Sequence, residues 1–213
     1  MVKRTVRKAG YREVIIKKSR FIAHVLPVTT EEDALAFIEK IRKEHATATH
    51  NVYAYIVTEP QRTQRFSDDG EPSGTAGRPI MELITELELV DLVVVVTRYF
   101  GGILLGAGGL VRAYRQSALE GIKEAGMDLQ VPCSIFRNVV NYGHWGKVQN
   151  LLAEYPVKVL DTTYGAAVEL RLAVSAESAA AVTKKLLDVT NGEIQLEEED
   201  MTYLFMEELR PRE

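Results

Sequence analysis

Apolar and polar residues change their spacing several times along the chain, and each change marks an element. Residues 12–18 (REVIIKK) and 20–28 (RFIAHVLPV) suit two strands, with Ser19 near the turn between them. Over 28–45, Ala34, Leu35, Ile38 and Ile41 recur at three- and four-residue spacing, which predicts a helix. Thr29 with Glu32 three residues on forms a capping box at its start, and Arg42 and Lys43 at its end complement the macrodipole. Residues 50–59 alternate β-branched and aromatic positions with others and read as a strand. A long polar loop is expected over 58–78, followed by a helix opening at Arg78-Pro79, where proline lacks only an N–H that would be orphaned anyway. DLVVVVTRYF at 91–100 predicts a strand buried on both faces. The helix over 104–126 places Leu110, Tyr114, Ala118 and Ile122 on its core face and ends at Gly126.

A change of pattern near 127–134 predicts a linker. Beyond it, 134–142, 143–155, 156–164, 166–174, 175–191 and 192–205 read as β-α-β-β-α-β, the order of the split βαβ motif. Val168, Leu170, Leu172 and Val174 alternate, and Gly165 suits the hairpin before them. The fold class is therefore α+β in two domains, 1–130 and 134–210, and 213 residues suffice for two small cores.

Composition narrows the setting. Hydrophobic residues at 46% and charged residues at 26% are ordinary for a globular protein. The aliphatic run Leu92–Val96 is far shorter than the ~20 residues a membrane span needs, and the basic N-terminus lacks the apolar core of a secretory signal. A single cysteine, Cys133, excludes an intrachain disulfide. A cytoplasmic protein with no membrane partner is expected. Charge is uneven: the first twenty residues hold eight basic side chains against one acid, Glu13. Such an arm could meet phosphates; the plainer reading is a solvated terminus.

Two segments carry candidate chemistry. SDDGEPSGTAGRP at 67–79 holds three carboxylates (Asp68, Asp69, Glu71), two small hydroxyls (Ser73, Thr75), three glycines and Arg78. RYFGGILLGAGGLVRAY at 98–114 has glycines at 101, 102, 106, 108 and 109 leading into a helix. Unpaired N–H groups at a helix start, with glycines admitting close approach, make an anion site. Arg78, Arg98, Gly106, Gly108, Gly109, Arg112 and Arg115 are its candidate ligands, and His50, Asp68, Asp69, Glu71, Ser73 and Thr75 its candidate lining. The alternative is that the glycines only permit close helix–strand packing. The carboxylates could hold Mg2+, but adjacent aspartates cannot easily aim at one ion. Pairing with Arg65, Arg78 or Arg98 is preferred, so neither metal nor cofactor is expected. There is no Walker Gly-Lys-Ser/Thr sequence, no zinc-ligand spacing and no context for a serine nucleophile. Tyr99 and Phe100 could stack on bases or belong to the core.

These two segments, with KKSRFIAHV at 17–25 and ATHNVYAYIV at 48–57, resemble the hallmark stretches of the YigZ/IMPACT family. The resemblance implies a first domain similar to domain 2 of ribosomal protein S5. It also implies a ferredoxin-like second domain similar to a C-terminal domain of elongation factor G. It does not extend to the RWD domain that precedes this region in eukaryotic IMPACT members and is tied to general amino-acid control, so regulation of that kinase pathway is not implied. The leading expectation is a translation-linked binding protein contacting RNA or a ribosome-associated factor through the first domain. The competing one is an enzyme acting on a phosphorylated or otherwise anionic small molecule at the 67–78 loop and the glycine-rich helix start. No base, nucleophile or metal set can be named for it, so binding is favoured over catalysis. A scaffold whose second domain docks a partner is the third reading.

Overall fold

A computed structural model describes residues 1–209; the last residue of the expected second domain, Arg210, lies outside the described residues. The chain forms two compact units, Lys3–Asp128 and a second from Leu129 onward.

In the first unit the elements are β1 (Lys3–Val6), β2 (Gly10–Ile16), β3 (Ser19–Pro27), α1 (Glu31–Glu44), β4 (His50–Val57), β5 (Thr63–Ser67), α2 (Gly77–Glu86), β6 (Leu92–Tyr99) and α3 (Ala107–Ala125). Its sheet runs β2-β3-β6-β4-β5, with every neighbouring pair antiparallel. The two-residue period of β6 explains why it has no solvated face. Leu92, Val94 and Val96 join a core with α2 and α3, while Val93 and Val95 join a second core with Ala34, Ile38 and Ile41 of α1. Helices thus cover both faces, and β6 from Leu92 to Val96 is fully buried.

Several local expectations change. The cap of α1 is Thr30, whose backbone is extended and whose hydroxyl accepts from the Asp33 N–H, and not Thr29. Leu35 is exposed, so the buried stripe of α1 is Ala34, Ile38 and Ile41. The 58–78 loop contains β5, paired with β4. The second helix starts at Gly77, which puts Pro79 third and not first. The basic N-terminus is not a loose arm: it forms β1 and β2, and Lys3 lies 3.1 Å from Asp91.

In the second unit the elements are β7 (Met127–Val140, beginning two residues earlier), α4 (Tyr142–Glu154), β8 (Val157–Tyr164), β9 (Val168–Ser175), α5 (Ala179–Val189) and β10 (Gln195–Phe205). The order is β-α-β-β-α-β, with strands arranged β10-β7-β9-β8. Val168, Leu170, Leu172 and Val174 are all buried, and three of them pack with Val148, Val182 and Leu186 of the two helices. The stretch read as a linker is strand: residues 130–140 pair with β10 on one side or β9 on the other. No helix among the described residues is long and apolar enough to cross a membrane.

Candidate functional site

Strand periodicity assembles the site. Phe21 of β3, Arg98 of β6 and His50 of β4 are register partners across the sheet. Each stands two residues along its strand from side chains that face α2 and α3, so all three point to that side at one end of the sheet. The guanidinium of Arg98 lies between two phenyl rings, 5.4 Å from Phe21 and 5.5 Å from Phe100.

The 68–75 turn folds over this row, and its three carboxylates go three different ways. Asp68 accepts from the N–H groups of Gly74, Ala76 and Gly77 at 2.8–3.1 Å, closing the turn and capping α2. Asp69 accepts from the Asn51 N–H at 2.6 Å, and its carbonyl oxygen meets His50 Nδ1 at 2.7 Å. Because a carbonyl can only accept, Nδ1 carries the proton and Nε2 is left to face Glu71 Oε2 at 3.8 Å, beyond hydrogen-bond reach. Glu71 is the one that turns inward: its Oε1 accepts from Arg98 Nη1 at 2.6 Å and from the Tyr114 hydroxyl at 2.7 Å. Burial, followed by the Glu71 contact, pushes the Tyr114 hydroxyl well above the ordinary tyrosine range, so it stays a donor. Carboxylates aimed apart in this way do not share one ion.

Between this turn and the start of α3 lies a cleft of about 410 Å³, lined by Thr49, His50, Gly70, Glu71, Pro72, Arg98, Phe100, Leu104, Leu105, Gly106, Ala107 and Leu110. Both sequence segments therefore border one cavity. Gly106 stands at the helix start with φ of +71°, where a side chain would be strained. Other candidates fall elsewhere. Arg78 is exposed and pairs with Glu82 at 2.8 Å; Arg115 pairs with Glu86; Arg112 is exposed on α3. Ser73 is exposed, and the Thr75 hydroxyl donates to the Pro72 carbonyl. A Cβ on Gly108 would meet open space, but one on Gly109 would come within 2.9 Å of Leu105 Cβ, so Gly109 serves packing. Tyr99 bonds His45 Nδ1 at 3.0 Å. The sequence reading missed Tyr114 as a Glu71 partner, because its position on the core face of α3 masks a polar role. It also missed Leu104, a wall of the cleft that carries no chemical signal.

Residues 17–122 match the Impact N-terminal domain. Residues 139–193 match a domain of unknown function, DUF1949. The IMPACT family member YvyE of Bacillus subtilis is 42% identical over 94% of this chain and 92% of its own. This chain belongs to the IMPACT family. The family member YigZ of Escherichia coli is 37% identical over 85% of this chain and 90% of its own. The crystal structure of a hypothetical protein superposes with a TM-score of 0.61 at 33% identity, covering 93% of this chain and 98% of that one. IMPACT membership thus spans both domains, and the cleft lies within the part matched by the Impact N-terminal domain.

Proposed function

We propose that this IMPACT family chain is a translation-linked binding protein that engages a ribosome-associated factor through the cleft-bearing face of its first domain. The translation link rests on the resemblance of the two domains to domain 2 of ribosomal protein S5 and to a C-terminal domain of elongation factor G. The β-α-β-β-α-β order of the second domain agrees with the latter. The observation that carries the choice of a protein surface is the apolar rim of the cleft. Phe100, Ile103 and Leu104 sit within five residues and are 46%, 39% and 82% exposed. Scattered exposed apolar side chains are normal, but a cluster beside a cavity marks an interaction site.

Charge speaks against RNA as the partner of this domain. The surface arginines Arg20, Arg78 and Arg115 are each paired with a carboxylate, from Glu13, Glu82 and Glu86 respectively. Cations already neutralised within the protein release few counterions on meeting phosphates. The test is co-sedimentation of the purified protein, at low and physiological salt, with ribosomes prepared so that their associated factors are retained. The native protein is expected to co-sediment at both, Leu104→Asp to be lost from the pellet, and Arg112→Ala to behave as native. Loss with Arg112→Ala together with steep salt dependence would assign the face to RNA instead. Absence of co-sedimentation at either salt would overturn the translation link.

A further inference from the structure

We infer that the cleft between the 70–72 turn and the start of α3 is a binding site for a small organic anion, a single carboxylate or phosphate head on an apolar body. At about 410 Å³ it has the size of a small-molecule site, large enough for a ring and a head group. Its two halves differ in chemistry. Phe100, Leu104, Leu105 and Leu110 form an apolar wall, whereas Arg98, its partner Glu71 and His50 lie at the polar end.

Arg98 is the decisive residue. It is only 5% exposed, gives Nη1 to Glu71, and has a buried Nε with no hydrogen-bond partner among the described residues. An unsatisfied guanidinium donor in the interior is unfavourable until a water or a ligand completes it, and its planar fork matches an oxyanion. The nineteen-residue α3 opens on the same cavity through Gly106 and Ala107. No side chain caps its first N–H groups, and its first turn holds no acid, so its positive end is unopposed. The nearby carboxylates do not spoil this field: Asp68 and Asp69 are turned onto backbone N–H groups, and Glu71 is matched by Arg98. His50 adds a fixed ring whose Nε2 is unbonded and faces the same space. An anion placed there meets a guanidinium and a helix start, and its body meets the leucine wall.

This inference does not depend on a macromolecular partner, since it concerns the purified chain and a small molecule alone. The probes are phenyl phosphate and benzoate, with inorganic phosphate and benzyl alcohol as head-only and body-only controls, titrated by calorimetry. Burying a ring is expected to make phenyl phosphate bind about ten-fold or more tightly than inorganic phosphate. Benzyl alcohol should not saturate. Ala107 lines the cleft, is exposed and occupies the first helical position, where an acid favours the helix. Ala107→Glu should therefore fold and bind phenyl phosphate at least about ten-fold more weakly, by charge, while Ala107→Lys, similar in length, should not weaken it. No saturable binding of either organic anion would overturn the assignment. Equal weakening by Glu and Lys would overturn the anionic head, and equal affinity for phenyl and inorganic phosphate would overturn the apolar body.

Discussion

Arg98 donates from Nη1 to Glu71 Oε1 at 2.6 Å, with both side chains almost wholly buried. The pair joins the end of β6 to the 68–75 turn, and Tyr114 ties α3 to the same oxygen. Breaking a buried pair from one side leaves a charge uncompensated, which typically costs about 3–5 kcal/mol. Glu71→Ala is therefore expected to lower the stability to urea by that amount, whereas the double change Glu71→Leu with Arg98→Met should recover most of it. Arg78→Ala, which breaks an exposed pair with Glu82, should change stability by less than about 1 kcal/mol. Similar losses from Glu71→Ala and Arg78→Ala would show that the buried pair does not hold the turn.

Asp68 offers a sharper test of what the acidic loop is for. Its two oxygens accept three backbone N–H groups, two of them at the start of α2. Removing a capping side chain costs about 0.5–2 kcal/mol, and Asp68→Ala should reach the upper end because the turn is lost as well. Added Mg2+ should leave the denaturation midpoint of the native protein unchanged. A midpoint that rises with Mg2+ in the native protein and not in Asp68→Ala would restore the metal reading.

What the sequence disclosed follows from periodicity. The continuous apolar run at 92–96 reappears as a strand buried on both faces, and the alternation in 168–174 and the four-residue stripe from Leu110 to Ile122 reappear as buried faces. What it concealed depends on tertiary partners. Thr29 and Thr30 are equally good caps on paper, and only the backbone decides between them. The short β5 is legible only through its pairing with β4, since its own burial is slight. Arg78, Arg98 and Arg115 look alike in sequence, yet one is buried against Glu71 and two sit on the surface beside Glu82 and Glu86. Only Arg78 has its partner nearby, four residues on; Glu71 lies 27 residues from Arg98, and 29 residues separate Arg115 from Glu86.

Protease sensitivity should follow the hydrogen bonding of the backbone and not the linker expected near 127–134. Residues 130–140 are laddered to β10 or β9, and a protease needs an extended, unpaired stretch. Arg62, by contrast, lies in an exposed segment between β4 and β5. Brief digestion with trypsin is expected to cut first after Arg62, as read by mass spectrometry of the fragments. Primary cleavage after Arg137 would show that the strand opens readily.

His24 should make stability depend on pH in a defined window. Burial first, then the neighbouring His45 and Lys40, lower its pKa from 6.5 to about 4. Its ring lies 5.1 Å from that of His45 and 5.3 Å from that of Tyr11, and its Nε2 has no partner to hold a proton. The unfolded chain therefore takes up a proton near pH 6.5 that the folded chain refuses until about pH 4. Stability contributed by the neutral ring is complete above the unfolded pKa, falls as pH drops through this interval, and levels off below it. The loss is on the order of 3 kcal/mol. Glu13, Glu31 and Glu86, whose pKa values are lowered by hydrogen bonds from Arg20, Tyr55 and Arg115 respectively, also give up stability in acid, but at and below their ordinary value of 4.5. Subtracting the urea stability of His24→Phe from that of the native protein at each pH isolates the histidine, because phenylalanine keeps the edge contact with Tyr11 and cannot titrate. The difference should be steepest between about pH 6.5 and pH 4, with the native protein losing ground as the pH falls. A difference that stays flat across that interval would mean that His24 accepts its proton in the folded state as readily as in the unfolded one.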